Sequence, residues 1–441
     1  MNTKTATTAA PGSPAAARVL GAPPATLIAA LEEVALEQVL ERAAVRSLYQ
    51  PIVEIDSGMT VAYEALARGP RGSLLEQPGD LFRVALRHGR SAELDWTCRA
   101  AALRGAREAG VEPPLTLFVN VEPSALASAC PAQLRADVRP GGDLAVVVEL
   151  TERALTARPA ELLRVVGELR AAGWGIALDD VGADVRSLAL MPLLRPEVIK
   201  LDLRLVQRQA SDEIAEIVNA VNAESERTGA LVLAEGVETE AHLATARAMG
   251  ATLAQGWLFG RPAPLPVPLP PRSAPLPLAP PPPARDGATP FEVVAAGGRP
   301  VRAADKRLLL SMTRTIERQA GGVGEGAVVV SAFQTAERFR DQTRRRYAEL
   351  AQRSALVAVL GIGMADEPAP GVRGAVLAPD DPLAGEWSVV VIGPHFAAAL
   401  VAQDMGDAGP EPERRFRFAL TYDRDLVLAA AAPLIERVLP L

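Results

Sequence analysis

The chain has 441 residues, of which 49% are hydrophobic, and a formal net charge of −7. This length predicts two domains, one of them large enough for a barrel, while the negative charge disfavours a general nucleic-acid-binding role. No apolar run reaches the roughly 18 to 20 residues that cross a membrane. The two cysteines, Cys98 and Cys130, have no metal-site or redox spacing, so we expect reduced thiols in a cytoplasmic protein.

Proline-rich composition divides the chain. Residues 1–25 are rich in Ala, Thr and Pro without the apolar core of a signal peptide, and they are predicted to be a disordered tail. Residues 263–290 contain prolines too dense for a helix or a central strand, which predicts an extended, polyproline-type linker. The two predicted domains are therefore 26–262 and 291–441.

The first predicted domain alternates short apolar runs with segments of helical periodicity such as 159–172 and 213–227. Continuous apolar strands indicate burial on both faces and hence a mostly parallel sheet. A β/α barrel is the natural closure for this many units, although periodicity alone leaves a doubly wound open sheet as an alternative. The predicted strands are 59–65, 115–121, 143–150, 175–180, 198–202, 231–235 and 252–255.

Polar residues recur at the C-terminal end of each apolar run. A single acid after a strand is often a helix N-cap, but that explanation does not account for acids and amides in nearly every unit. In a parallel barrel all these strand ends open on one face, where barrel enzymes keep their active sites. The residues are Glu64, Asn120, Glu149, Asp179, Asp180, Lys200, Glu235 and Gln255.

Five carboxylates brought together repel one another, by about 4 kcal/mol per pair at 4 Å and an effective dielectric constant near 20. A cation must therefore lie among them. An all-oxygen set without His or Cys favours Mg²⁺ or Mn²⁺ over Zn²⁺. The adjacent Asp179 and Asp180 suit a bridge between two ions, a geometry typical of phosphodiester or phosphomonoester hydrolysis.

An ordered series of motifs over residues 27–263 resembles the EAL domains, the hydrolases of the bacterial second messenger cyclic di-GMP. A lone Glu-Ala-Leu would carry little information in this Ala- and Leu-rich chain, whereas the series is specific. It consists of Tyr49-Gln50-Pro51-Ile52, Glu64-Ala65-Leu66 with Arg68, Phe118-Val119-Asn120, Glu149-Leu150-Thr151-Glu152, Leu178-Asp179-Asp180, Ile199-Lys200-Leu201-Asp202, Ala234-Glu235-Gly236-Val237-Glu238 and Gln255-Gly256-Trp257-Leu258-Phe259-Gly260.

The resemblance implies a modified (β/α)8 TIM-like barrel with one antiparallel strand, and two-metal hydrolysis of cyclic di-GMP to a linear 5′-phosphorylated guanine dinucleotide. By the same resemblance Lys200, Asp180 and Glu235 are catalytic, with Lys200 contacting the attacking water. Gln50, Leu66 and Arg68 contact the substrate. One ion is held by Glu64, Asn120, Glu149 and Asp179, the second by Asp179, Asp180 and Glu235, and Glu152, Asp202, Glu238 and Gln255 brace these ligands.

One segment departs from the family pattern. Residues 181–188 read VGADVRSL, where the family usually has FGTGYSSL, a loop linked to metal-site order and dimer coupling. The alternative function is therefore a catalytically weak cyclic di-GMP-binding effector that acts through protein contacts. An unrelated metal-dependent barrel enzyme is disfavoured by the motif series.

The second predicted domain mixes strands at 327–333, 355–360, 387–392 and 416–422 with helices at 303–320, 336–353 and 426–437. Its segments 305–312, 339–347 and 389–399 resemble DICT domains, sensory modules found beside cyclic di-GMP enzymes. The resemblance implies a smaller α/β sensory domain that regulates the barrel and takes an unidentified ligand or protein. The basic run 344–346 is interpreted as a solvated helix face, and a homodimer through the barrel is a further expectation.

Overall fold

The computed structural model describes residues 24–122, 125, 128–138, 144–151, 158–183, 188–270, 275–278, 289–407 and 410–438. The predicted tail lies almost wholly outside this range, as do Glu152 and residues 184–187 of the divergent loop. The described part contains no helix that is long and apolar enough to cross a membrane.

Eight strands form a closed barrel, which confirms the predicted fold class and excludes the open sheet. β1 pairs antiparallel with both β2 and β8, and the other pairs are parallel. β1 was absent from the strands predicted by pattern, because Pro51 interrupts its apolar run. The strands are β1 (Arg46–Glu54), β2 (Thr60–Arg68), β3 (Thr116–Asn120), β4 (Ala145–Thr151), β5 (Gly175–Val181), β6 (Val198–Leu201), β7 (Leu231–Ala234) and β8 (Leu253–Gln255).

Helices cover the outside of the barrel with one apolar face each. The predicted helices 159–172 and 213–227 form as expected, because their apolar residues recur at intervals of three and four. The helices of the barrel domain are α1 (Pro24–Glu41), α2 (Pro78–Arg87), α3 (Ser91–Glu108), α4 (Pro159–Ala171), α5 (Met191–Leu194), α6 (Leu203–Gln207), α7 (Asp212–Thr228) and α8 (Glu240–Ala248).

The barrel interior is built in layers. In seven strands the side chain two residues before the polar residue at the strand end is apolar and points inward. In β1, which runs antiparallel to its neighbours, the order is reversed, and the polar Gln50 comes two residues before the apolar Ile52. The polar residues therefore share one layer above an apolar one. This apolar layer consists of Ile52, Ala62, Phe118, Val147, Ala177, Val198, Leu233 and Leu253.

The described part of the proline-rich linker packs against the barrel instead of extending into solvent. Ala263 bridges to Tyr49, and Leu276, 9% exposed, joins the apolar layer from below. Leu278 approaches Gly175, where an added Cβ would lie 3.3 Å from its methyl group. Composition predicted an extended linker but not this packing, in which leucines between the prolines cover the lower end of the barrel, below the apolar layer.

The C-terminal domain is a seven-stranded sheet with the order β12-β11-β10-β13-β14-β15-β9. Three strands were missed by pattern: β9 overlaps the start of a predicted helix, β12 has only four residues, and β14 is alanine-rich, a composition depleted in strands. The elements are α9 (Pro290–Ala296), β9 (Arg302–Asp305), α10 (Lys306–Val323), β10 (Val328–Thr335), α11 (Asp341–Ala351), β11 (Leu356–Ile362), β12 (Arg373–Val376), β13 (Glu386–Ile392), β14 (Ala397–Asp404), β15 (Arg415–Thr421) and α12 (Arg424–Ile435).

Helices cover both faces of this sheet. α10 and α11 pack with one set of alternating strand residues, and α9 and α12 with the other. Phe333, Phe339 and Tyr347 form mutual edge or tilted ring contacts under α11, with centroids 5.2 to 5.6 Å apart.

A buried carboxyl group makes the stability of this domain depend on pH. Glu386 is 2% exposed and accepts a hydrogen bond from the Phe291 backbone at 3.2 Å. Burial raises its pKa from 4.5 to about 7. Because the folded state then holds the proton more tightly than the unfolded state, stability falls as pH rises from about 4.5 to about 7, by about 3 kcal/mol.

We expect Glu386→Gln to remove this slope, since the amide keeps the shape and does not titrate. Urea unfolding of both proteins at pH 5 and pH 7.5 measures it, and Glu413→Gln, at an exposed carboxylate, is the matched control. Equal pH slopes in the wild type and Glu386→Gln would contradict the assignment.

Candidate active site

The polar layer forms a cluster centred on one lysine. Lys200, on β6, is fully buried, and its Nζ lies 2.5 Å from Glu149 Oε1, 2.8 Å from Glu235 Oε1 and 2.9 Å from Asp179 Oδ1. Glu64 Oε1 lies 3.8 Å away. The barrel thus brings together the carboxylates that the sequence predicted, and Lys200 supplies a positive charge at their centre.

A bulge explains how two consecutive aspartates serve one site. Successive residues of a regular strand point to opposite faces, but the β5–β6 register shifts between Leu178 and Val181. Asp180 has a φ of 58°, a left-handed conformation that is uncommon for residues other than glycine. Carboxylate oxygens of Asp179, Asp180 and Glu235 consequently lie within 4.8 Å of one another, a group that fits a metal ion.

The electrostatics of the cluster are strongly perturbed. Burial raises the pKa of Glu149 well above its usual value and that of Glu235 to about 8. Burial lowers the pKa of Lys200, but the surrounding carboxylates outweigh this and raise it well above its usual value. One ammonium group does not compensate all these acids, so the cluster has capacity for further positive charge.

A buried oxygen without a hydrogen-bond partner supports the fit of a cation. Within the described residues, Glu149 Oε2 is buried without a partner, whereas Glu149 Oε1 and Asp179 Oδ1 contact the Lys200 ammonium. Buried polar atoms without partners are rare, and carboxylate oxygens are the ligands that Mg²⁺ and Mn²⁺ prefer. The donor set and its unmet hydrogen-bonding capacity agree with a hard divalent ion.

Amide side chains hold Glu64 from two sides. Asn120 Nδ2 donates to Glu64 Oε1 at 3.1 Å, and Gln255 Nε2 donates to Glu64 Oε2 at 2.6 Å. Gln255 also reaches Gln50 Oε1 at 3.3 Å, while Gln50 donates to the Gly260 carbonyl. Gln255 therefore braces a cluster carboxylate, as the resemblance implied.

Two other residues that the resemblance implied to brace the ligands make no described contact with the cluster. Asp202 is buried and caps α6, accepting from the Arg204 backbone at 2.7 Å and pairing with the Arg204 guanidinium. Glu238 is exposed, and none of the hydrogen bonds found among the described residues joins its side chain to the cluster. Glu152 lies outside the described residues.

A cleft of about 600 Å³ opens beside Glu64 and Asn120 and is also lined by Leu66 and Arg68. Arg68 Nη1 donates to the Ala67 carbonyl at 2.8 Å, and no described carboxylate pairs with this guanidinium. Its remaining N–H groups are therefore available to an anion in the cleft.

Sequence reasoning missed one wall of this cleft, formed by α2 and α3. Asp95 on α3 pairs with the fully buried Arg99 and accepts the Glu122 backbone N–H at 2.8 Å. Phe82 on α2 is half-exposed to the cleft. The sequence signal was the spacing of four between Asp95 and Arg99 on α3, which carries no information about which cavity the pair faces.

The closed barrel with an acidic cluster at its C-terminal strand ends defines a β/α-barrel protein whose site lies on the usual active face. Residues 33–262, slightly more than half of the chain, match the EAL domain model, so the chain belongs to the EAL-domain family. Residues 294–405 match the model described as the sensory domain in diguanylate cyclases and two-component systems. Both family resemblances are confirmed.

Relatives cover the barrel half of the chain. The cyclic di-GMP phosphodiesterase RocR of Pseudomonas aeruginosa is 30% identical over 231 residues, 51% of this chain and 59% of that protein. The cyclic di-GMP phosphodiesterase NbdA of the same organism is 33% identical over 252 residues, 54% of this chain and 32% of that protein. The match thus spans less than two thirds of each relative's length.

A solved structure, the manganese and cyclic di-GMP complex of Klebsiella pneumoniae BlrP1, has a TM-score of 0.44 and 29% identity. The similarity covers 50% of this chain and 56% of that one.

Proposed function

We propose that this protein hydrolyses cyclic di-GMP to the linear 5′-phosphorylated guanine dinucleotide, with Mg²⁺ or Mn²⁺, and that its C-terminal domain regulates the reaction. The observation that carries the proposal is the acidic cluster around Lys200 beside a cleft that is lined by Arg68. The EAL family and its relatives named cyclic di-GMP phosphodiesterases support it. We also propose a cytoplasmic location, which a bacterial second-messenger substrate supports.

The proposed ligands of the first ion are Glu64, Asn120, Glu149 and Asp179, and those of the second are Asp179, Asp180 and Glu235. Two ions held there would supply Lewis-acid stabilisation of the phosphate and would lower the pKa of a water molecule. In the net reaction the water oxygen bonds to phosphorus, the bond from phosphorus to the 3′ oxygen breaks, and that oxygen leaves with a proton.

The chain's own side chains orient the substrate and the ligand residues and neutralise charge in the site. Arg68 binds a phosphate oxygen through its free N–H groups, and Gln255 keeps Glu64 in place. The proposed role of Lys200 is to hydrogen-bond to the attacking water, and its ammonium balances the charge of Asp179 and Glu235. Asp202, as the cap of α6, fixes the chain that follows Lys200.

The decisive experiment incubates the full chain with cyclic di-GMP and either Mg²⁺ or Mn²⁺ and separates the products by chromatography. The linear dinucleotide should appear with each ion and disappear with excess chelator. The alternative function, a cyclic di-GMP-binding effector, is favoured by the divergent segment 181–188. Tight binding without product would establish that alternative instead.

Arg68→Ala should weaken substrate binding more than it slows the chemical step. Loss of a charge-assisted hydrogen bond costs about 1.5 to 3 kcal/mol, so we expect KM to rise by about 10- to 100-fold while kcat changes by less. Steady-state kinetics measure both, and Arg71→Ala, at an exposed arginine just beyond β2, is the matched control. Equal losses of kcat in Arg68→Ala and Lys200→Ala would remove this division of roles.

A further inference from the structure

Helix α12 is apolar on every side. After Arg424 and Asp425 it reads LVLAAAAPLI, and Val427, Leu428, Ala430, Ala431, Leu434 and Ile435 are all buried. A helix of this composition is stable only when both of its sides are covered. One side packs on β10, β13 and β14 of its own domain.

Helix α9 of the same domain packs along α12, and the barrel covers part of the surface that remains. There α12 contacts α5, and Ile435 shares a narrow cavity with Leu190, Leu193 and Leu194 of the barrel. Leu190, Met191 and Leu194 are at most 1% exposed. One continuous apolar cluster therefore joins the barrel to the C-terminal sheet, and we call this contact the α12–α5 contact.

Charged groups border the contact at the N-terminal end of α12. Arg227 on α7 pairs with Asp425, and it also binds Glu224 at 2.6 Å. A cavity of about 210 Å³ remains beside them, lined by Met191 and Pro192 from the barrel and by His395 and Arg424 from the C-terminal domain. The contact is thus apolar around Ile435 and charged and incompletely filled at its other end, and interfaces between domains of one chain resemble transient protein–protein interfaces.

The linker keeps the two domains within reach of each other. Leu276 is anchored under the barrel, and ten residues, 279–288, separate Leu278 from Thr289, where the description of the C-terminal domain begins. Fully extended, this stretch spans about 40 Å at most. An opened contact would therefore re-form at the high effective concentration of a short tether, typically millimolar.

The α12–α5 contact is close in sequence to the candidate active site. Asp179 and Asp180 lie at the end of β5, and α5 begins at Met191 on the same connection to β6. Leu188, just before α5, is 1% exposed and lines the 210 Å³ cavity. Val181, beyond the bulge, accepts the Asp202 backbone N–H at 3.1 Å.

We propose that the C-terminal domain controls the barrel through the α12–α5 contact: docked α12 holds α5, and its release loosens the β5 bulge that carries Asp179 and Asp180. This inference rests on the proposed function and names the contact through which the C-terminal domain regulates it. A two-state contact of this kind couples two sites by a factor of roughly 5 to 150. Any ligand or partner that changes the C-terminal sheet under α12 would shift the equilibrium between the docked and the released state.

Hydrogen exchange followed by mass spectrometry tests this route in the full chain. Ile435→Glu disrupts the contact by a change in the C-terminal domain. Leu193→Glu disrupts it by a change in the barrel and leaves the sequence of the C-terminal domain intact. We expect both variants to speed amide exchange about tenfold or more in residues 188–194 and 175–183. Leu308→Glu, at a 52% exposed position of α10 on the opposite face of the sheet, is the matched control and should change neither segment.

Each outcome decides a different step. Unchanged exchange at 188–194 in Leu193→Glu would overturn the contact itself. Faster exchange at 188–194 with unchanged exchange at 175–183 would overturn the route to the bulge. Exchange does not depend on turnover, so a protein that fails to hydrolyse cyclic di-GMP can still show the coupling, and an active enzyme can still fail this test.

Discussion

Asp179→Asn is expected to lower kcat/KM for cyclic di-GMP by about 10³-fold or more. The amide preserves the shape of the side chain but removes the charge from the carboxylate that both proposed ion sites share. Its Oδ1 lies 2.9 Å from Lys200 Nζ, and its group with Asp180 and Glu235 is tight enough for one ion. Loss of several kcal/mol of transition-state stabilisation corresponds to a rate loss of this size.

Steady-state kinetics at saturating Mg²⁺ or Mn²⁺ measure this effect, and isothermal titration of the ion without substrate gives an independent measure of metal binding. The matched control is Glu213→Gln, which removes one negative charge at an exposed position in the first turn of α7. Near wild-type turnover in Asp179→Asn, or full activity in excess chelator, would exclude the two-ion assignment.

Lys200→Met is expected to destabilise the metal-free barrel by about 3 to 5 kcal/mol. The substitution leaves Glu64, Glu149, Asp179 and Glu235 facing one another without the central cation, and uncompensated buried charge costs about this much. Urea unfolding in chelator measures the loss. Added Mg²⁺ or Mn²⁺ should restore a large part of it, because an ion bound only by the folded state stabilises that state.

The pH dependence of this loss follows from the carboxyl groups. The pKa of Glu235 is already raised to about 8 and that of Glu149 is raised as well, so in the folded protein protons neutralise these acids as pH falls. We therefore expect Lys200→Met to be least destabilising near pH 5 and most destabilising above pH 8. Adding Glu149→Gln should recover part of the loss. An unchanged unfolding curve at pH 8.5 in chelator would show that Lys200 does not balance the cluster.

The sequence by itself determined the class of fold and predicted where the acidic residues would meet. Acids and amides at the ends of successive apolar runs, such as Glu149 and Asp179, predicted one acidic site, because parallel strands present their C-terminal ends on one face. The barrel is closed as expected. The cluster members lie in one layer because each is two residues beyond an inward apolar residue of the same strand.

Only the tertiary structure decided how these residues are used together. The bulge at Asp179 and Asp180 depends on the register between β5 and β6, and the cleft wall at Asp95 depends on which face of α3 meets the barrel. Likewise, composition predicted an extended linker but not that Leu276 packs at the lower end of the barrel or that α12 packs on α5. Local propensity fixes which elements form, but register and docking arise from contacts between residues far apart in the chain, which no local pattern encodes.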